Sequence, residues 1–258
     1  MKRIFISPKG QTNLFQALLN VLLLSIIAIV ILWFSLAQIG VTFNFSFLGE
    51  FKGRLWSGFL MTIYLSLASL VLSLIFGLLG ALMQESKIII LRYLAQSYVF
   101  FIRGTPLIMQ IYLFFYIIGT AFGIENRFIC GVLILSIFEG AYICEIIRGS
   151  LLSQDNTQLE VAKAVGFTQK QTMRYVVFPQ LLARTLPALA GQFASIIKGS
   201  SLLSMIAVVE LMQTIREISS TNFKLFECYL FLGILYFVLT LPITFMTQYL
   251  EKKFFYEN

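Results

Sequence analysis

The sequence of 258 residues contains no histidine and few charges. Only 12% of its residues are charged, whereas about 25% are charged in an average soluble domain. The absence of histidine excludes acid–base catalysis by that residue and most zinc sites, HExxH included. The chain also contains no GxxxxGK[ST] segment, so it has no P-loop for a nucleotide. If this chain takes part in active transport, the motor is therefore another polypeptide.

Cysteine is also scarce, with three residues that all lie inside apolar segments, namely Cys130, Cys144 and Cys228. They form neither a CxxC pair nor an even-numbered set, so we interpret them as small apolar packing residues. The sequence thus predicts no disulfide framework and no metal site. We expect no cofactor in this chain.

Apolar residues, by contrast, make up 59% of the chain and include several runs of about 20 residues. This pattern predicts an all-α polytopic membrane protein, in which helix packing in lipid replaces a soluble core. The net charge of +7 is compatible with nucleic-acid binding. We favour the alternative that Lys and Arg accumulate in cytoplasmic loops, and we expect no nucleic-acid partner.

Six spans are predicted, over residues 14–37, 57–83, 93–121, 128–147, 188–212 and 225–250. The rival interpretation of the first is a signal peptide, because Ser35-Leu36-Ala37 resembles a cleavage site. Its apolar run exceeds the roughly 15 residues of a signal peptide, so we favour an uncleaved span. Small residues in the second span predict close helix packing; they are Gly58, Ser66, Ala68, Ser69, Ser73, Gly77 and Gly80.

The distribution of positive charge predicts the orientation. With these spans, the cytoplasmic segments hold twelve of the 19 Lys and Arg residues, the external segments five, and the spans two. Both termini are then cytoplasmic. The predicted organisation is a first helix with its flanks over 1–54, a transmembrane domain over 55–250 with a cytoplasmic loop over 149–187, and a cytoplasmic tail over 251–258.

The stretch 157–187 is unusually polar for this chain. It predicts a short helix, a glycine turn at Gly166 and a second helix stopped by proline, at Pro179 and Pro187. Two capping boxes are predicted, Thr157 with Glu160 and Thr168 with Gln171. We expect a folded, water-facing element between two spans.

The same stretch resembles a known family pattern. Glu160-Val161-Ala162, then Gly166, then Val176-Val177-Phe178-Pro179 resembles the EAA loop of permease subunits of ABC importers, and the spacing matches at every step. The resemblance implies that residues 158–165 are a coupling helix seated in a cleft of an ATPase, with Glu160, Ala162 and Gly166 as coupling residues. The alternative is that Glu160 and Gly166 only cap a helix.

Other segments resemble polar amino-acid permeases of the histidine/glutamine/arginine type: 101–107, 140–149, 178–187, 198–202 and 249–253. The resemblance implies a type I ABC importer transmembrane domain with a five-helix core, here with one extra N-terminal helix. It also implies alternating access, two ATPase subunits, a second permease copy or paralogue, an external amino-acid-binding protein, and a place among the lipids of a bacterial cytoplasmic membrane. Gly199 departs from this pattern, which usually has Asp, and Glu139 stands where Ser is common.

The substrate pathway is predicted near Glu139, Tyr142, Lys198 and Arg103. An acid near the middle of a span is costly, so Glu139 is expected either to meet a substrate's positive group or to pair with Lys198. Arg103 precedes the break that Pro106 imposes on the third span. It is expected to bond carbonyls freed at that break or, alternatively, to meet a substrate carboxylate.

Glu145 and Arg148, one helical turn apart, are expected to pair. Polar amino acids, with cationic ones among the candidates, are the predicted substrates. The rivals are a stand-alone secondary transporter or channel and an intramembrane enzyme, and the lack of internal repeats and of histidine argues against them.

Overall fold

A computed structural model describes residues 14–39, 43–153 and 156–255. The basic segment 1–13, and Gln154 and Asp155 within the predicted loop 149–187, lie outside the described residues. The chain divides into two compact units, Met1–Phe45 and Ser46–Asn258. All regular secondary structure in the described ranges is helical, as predicted.

The first unit contains α1 (Leu14–Ile39). The second contains α2 (Phe47–Glu50), α3 (Lys52–Gln84), α4 (Ile89–Gly104), α5 (Leu107–Tyr112), α6 (Arg127–Leu152), α7 (Asn156–Ala164), α8 (Gln169–Thr172), α9 (Phe178–Ser200), α10 (Leu211–Asn222) and α11 (Leu225–Phe255). A π-helical segment, Leu113–Gly119, extends α5, and a second, Met173–Val177, joins α8 to α9. A 3₁₀ helix, Ser201–Ile206, continues α9.

By length and composition, five of the helical runs in the described residues are suited to cross a membrane, and a sixth is added if α4 and α5 form one broken span. This agrees with the six predicted spans. The orientation and the domain boundaries stay predictions.

The fifth span differs from its prediction at both ends. The helix that starts at Gln169 is not stopped by proline but continues through Pro179 and Pro187 to Ser200. Pro179 follows the π-helical segment Met173–Val177 by two residues, so it lies where the regular α-helical hydrogen-bond ladder is already interrupted. At the other end the helix stops before residue 212, since Ala207 takes a left-handed conformation with φ of 54°. The segment between the fifth and sixth predicted spans, 213–224, holds most of α10.

The centre of the bundle is the contact between α3 and α6. Six of the seven small residues predicted to allow close packing are buried on α3, while Ala68 is partly buried. At Gly77 a Cβ atom would come within 2.4 Å of Ile143 Cγ2. At Gly80 it would come within 3.0 Å of Cys144 Sγ. The prediction of close packing through small residues is therefore confirmed.

A second buried cluster fastens α10 to α3 and α11. Its core includes Leu211, Ile215 and Ile218 from α10, together with Cys228 from α11. Glu210 caps α10 from a fully buried position. All three cysteines are buried and free, which agrees with their interpretation as packing residues.

Candidate functional site

Helix α7 and Val165, the residue directly after it, present apolar side chains on the outer surface. Val161 is 56% exposed and Val165 is 70% exposed, whereas Ala162 is only 5% exposed. Glu160 is exposed beside them. A short helix that turns valines away from its own protein has the character of a docking surface.

The turn after α7 is built by Gly166. Its φ of 84° is left-handed, as the sequence predicts for a residue that ends a helix. The Gly166 N–H donates to Lys163 O at 3.0 Å, and the Phe167 N–H donates to Ala162 O at 2.9 Å. These two bonds form a Schellman motif, which satisfies the last carbonyls of α7.

The two predicted capping boxes have different outcomes. Thr168 and Gln171 form a complete box at the start of α8, which confirms that prediction. The box at Thr157 is misplaced, because α7 already begins at Asn156 and Thr157 lies inside its first turn. The residue that precedes α7, Asp155, is outside the described residues.

Side-chain bonds tie the base of α9 to α7 and α6. Gln180 donates to Gln158 of α7. Arg184 donates to Ser153 Oγ, at the end of α6, at 2.9 Å. Movement of α7 is therefore connected to α9 by side chains as well as through the chain itself.

The predicted break in the third span is present as a bend of 113° between α4 and the helix that starts at Leu107. Thr105 and Pro106 have extended backbones there. Buried Gln110 holds the break, since its Nε2 donates to Ile102 O at 2.8 Å and to Thr105 Oγ1 at 2.7 Å. The prediction that Arg103 bonds the freed carbonyls is therefore corrected: Gln110, which the sequence analysis missed, has that role.

We expect Gln110→Leu to destabilise the protein by about 1–3 kcal/mol, because it leaves buried acceptors without a donor. The measurement is thermal unfolding of the detergent-purified protein. Gln96→Leu, at an exposed position on α4, is the matched control. Equal melting temperatures for the two variants would contradict a structural role of Gln110.

Arg103 instead belongs to a charged cluster with α6. Its Nη1 donates to Glu145 Oε2 at 3.0 Å, and its guanidinium lies 5.4 Å from the ring centroid of Tyr142. Arg148 binds the same carboxylate with two bonds, at 2.7 and 2.8 Å, which confirms the predicted Glu145–Arg148 pair. The cluster lines an open cavity of about 530 Å³ that Gln84 of α3 also borders.

Glu139 lies on α6 and is 1% exposed. It accepts a hydrogen bond from Gln192 and one from Ser195 Oγ, the latter at 3.4 Å, both from α9. Lys198 is exposed and forms no ion pair with Glu139. The predicted pair of these two residues is therefore absent from the described part of the chain. Gln192 and Ser195 were missed because an amide and a hydroxyl on a small-residue helix carry no signal of their own.

The candidate residues thus fall into two groups. Glu160, Ala162 and Gly166 belong to α7 and its turn, whereas Glu139, Tyr142, Lys198 and Arg103 lie along α6, α9 and the end of α4. In the described ranges, no group of three or more Cys, Asp or Glu is placed to hold a metal ion.

Comparison of the sequence with known proteins finds subunits of membrane transport systems. The family model described as "Binding-protein-dependent transport system inner membrane component" matches residues 73–256. A probable glutamine ABC transporter permease of Bacillus subtilis is 32% identical over 81% of this chain and 97% of its own length. The L-cystine transport system permease of the same organism is 33% identical over 76% of this chain and 84% of its own.

Solved structures give the same result for the fold. A chain of an amino acid ABC transporter, crystallised with histidines, is 34% identical, with a TM-score of 0.76 over 83% of this chain and 100% of that chain. An inward-facing MetNI methionine ABC transporter shares the fold at a TM-score of 0.66 and 17% identity, covering 80% of this chain and 98% of that chain. The chain is therefore a member of the family of inner-membrane components of binding-protein-dependent transport systems, with the type I fold of an ABC transporter permease.

Proposed function

We propose that this chain is the permease subunit of an ATP-driven importer that carries polar amino acids across the cytoplasmic membrane of a bacterium. The observation that carries the proposal is α7, a short helix closed at its C-terminal end by the Gly166 turn, with exposed valines at Val161 on the helix and at Val165 directly after it. Names of the relatives, which include glutamine and cystine permeases, support amino acids as the substrate class. Cationic amino acids are among the candidates.

The ATPase is a separate chain that receives α7. Glu160 supplies an exposed charge for the contact, buried Ala162 lets the helix lie close on the permease, and Gly166 fixes where the helix ends. The complete transporter holds two ATPase subunits, a second permease copy or paralogue, and an external binding protein. This chain itself needs no cofactor.

Transport follows alternating access. The ATPase subunits bind α7 differently in their open and closed states, and only this difference in affinity shifts the permease between its two conformations. The substrate path passes near Glu139, Tyr142 and Lys198, and the ion pair of Arg103 with Glu145 borders it. In this scheme the ATPase applies its conformational change to α7, and the contacts of α7 transmit it to α9.

Co-purification tests the proposal. Glu160→Lys reverses an exposed charge of α7, and Gly166→Val places a β-branched residue at a left-handed position. We expect the amount of ATPase that co-purifies with each variant to fall at least about tenfold below that of the wild type. The reason is that loss of a central interface contact costs about 2 kcal/mol or more of binding free energy. The bound ATPase is quantified after affinity purification of the tagged permease from membranes.

Matched substitutions away from α7 are the controls. Glu251→Lys alters an exposed acid at the end of α11, and Gly149→Val alters an exposed glycine of α6 with open space around it. Both are expected to retain the ATPase. Amino-acid uptake by the purified chain alone, in liposomes without any ATPase, would contradict the proposed function.

A further inference from the structure

Two cations share one carboxylate at the contact between α4 and α6. Arg103 Nη1 donates to Glu145 Oε2 at 3.0 Å. Arg148 donates to the same carboxylate through Nε at 2.7 Å and through Nη2 at 2.8 Å. Glu85 also acts on Arg148 electrostatically, but it is exposed and forms no ion pair with it among the described residues. The cluster of Arg103, Glu145 and Arg148 therefore has two positive charges and one negative charge.

Most hydrogen-bond donors of this cluster are not used by Glu145. A guanidinium group has five N–H donors, and Glu145 accepts one bond from Arg103 and two from Arg148. Both arginine side chains are partly exposed and line the open cavity of about 530 Å³, a volume typical of ligand pockets. Planar guanidinium groups bind phosphate oxygens with pairs of parallel hydrogen bonds. The cavity is thus complementary to a phosphate group.

An apolar face of α4 adjoins the same cavity. Phe100 lines the cavity and is 83% exposed. Tyr93 and Ile89 precede it by seven and eleven residues, about two and three helical turns, and both are exposed. The three side chains therefore share one face of the helix. A phosphate-binding cavity beside an exposed apolar face is complementary to an amphiphile with an anionic headgroup.

The cavity lies near the end of α6 that leads to α7. Arg148 is four residues from Leu152, the last residue of α6, and α7 begins at Asn156. In the proposed transporter α7 contacts the ATPase, so this end of α6 faces the cytoplasm. Anionic lipids give the cytoplasmic leaflet a negative surface potential, and basic pockets between membrane helices on that side bind their headgroups.

We propose that this cavity binds the phosphate group of an anionic phospholipid of the cytoplasmic leaflet. The phosphate oxygens accept hydrogen bonds from Arg103 and Arg148, and Phe100 contacts an acyl chain. The bound lipid thereby bridges α4 and α6 beside the bend at Pro106. This site goes beyond the proposed function and rests on it only for the side of the membrane. A free phosphate ion has the same polar chemistry without the acyl chain, and the test separates the two.

The test measures lipid binding to the full-length chain, purified in detergent with any subunits that stay attached. Native mass spectrometry gives the apparent Kd of phosphatidylglycerol and of phosphatidylcholine with the same acyl chains. We expect one phosphatidylglycerol per chain to bind at least about tenfold more tightly than phosphatidylcholine, the effect of one charge-assisted hydrogen bond. Excess ammonium phosphate is added in a parallel series, and phosphatidylglycerol is expected to stay bound.

Two variants with opposite expected effects test the cluster. Arg103→Gln removes one guanidinium group and keeps the pair of Glu145 with Arg148, so the affinity for phosphatidylglycerol is expected to fall about tenfold in a folded protein. Glu145→Gln keeps an acceptor oxygen between the arginines and removes the negative charge, so the affinity is expected to rise about two- to fivefold. Arg216→Gln, at an exposed position of α10, is the control and is expected to leave both affinities unchanged.

The outcomes that would overturn the site are distinct. A purely structural cluster would lower the melting temperature of both variants and leave the preference for phosphatidylglycerol unchanged. Displacement of the lipid by ammonium phosphate would show a site for a free anion and no lipid site. The proposed function is tested separately, because lipid binding is measured in detergent and needs no ATPase. Loss of the lipid preference with normal co-purification of the ATPase would therefore contradict this site alone.

Discussion

Replacing Gly77 by leucine is expected to prevent assembly of the helical bundle. A Cβ atom at this position would lie 2.4 Å from Ile143 Cγ2 and 3.1 Å from the backbone nitrogen of Cys144. Side-chain rotation cannot relieve the contact with the backbone, so α3 and α6 would have to separate. Overpacking a core usually costs about 1–3 kcal/mol, and we expect at least about 3 kcal/mol here because the remaining leucine atoms also need room.

The measurement is the amount of monodisperse protein that detergent extracts from membranes, together with its melting temperature. Gly53→Leu is the matched control, because Gly53 is also on α3 but has open space around it. That control is expected to behave like the wild type. A Gly77→Leu protein that extracts and melts like the control would show that the α3–α6 contact is looser than these distances indicate.

Glu210→Leu is expected to have a similarly large effect. Glu210 is 0% exposed, and its carboxylate accepts hydrogen bonds at 2.8 Å from the Met212 N–H, the Gln213 N–H and the Tyr236 hydroxyl. Leucine would leave all three donors unsatisfied in a buried place, at about 1–3 kcal/mol each. We therefore expect a loss of at least about 3 kcal/mol and a detachment of α10 from α3 and α11.

Glu210→Gln gives the internal control, because it keeps one acceptor oxygen for the cap of α10. Its loss of stability is expected to lie between those of the wild type and Glu210→Leu. Thermal unfolding measures stability, and protease sensitivity near residues 207–224 reports on detachment of α10. Equal melting temperatures for the leucine and glutamine variants would contradict the capping role.

Local signals in the sequence predicted several features correctly. Gly166 was expected to end a helix because glycine adopts the left-handed conformation at low cost, and its φ is 84°. The Thr168–Gln171 box and the break at Pro106 depend in the same way on a few neighbouring residues. The number of spans follows from apolar runs that no soluble fold would need.

Features that depend on tertiary contacts were predicted poorly. Pro187 was expected to stop a helix, yet it lies inside α9, and membrane helices tolerate such a proline where the freed backbone groups find other partners. The partners of Arg103 and Glu139 lie on other helices, at separations of 42 and 53 residues. No periodicity encodes such contacts, and a buried glutamine such as Gln110 is indistinguishable from an exposed one in the sequence.

In the proposed transport cycle, the continuous helix from Gln169 to Ile206 would act as a lever arm. It spans 38 residues, or roughly 57 Å at about 1.5 Å per residue, so a tilt of about 5° at its base moves its far end by about 5 Å. The π-helical turn at Met173–Val177 lies near the base, where a softened hydrogen-bond ladder can serve as the pivot. A small displacement of α7 in the proposed cycle would thus be enlarged along α9 to a few ångströms, the scale of an amino acid.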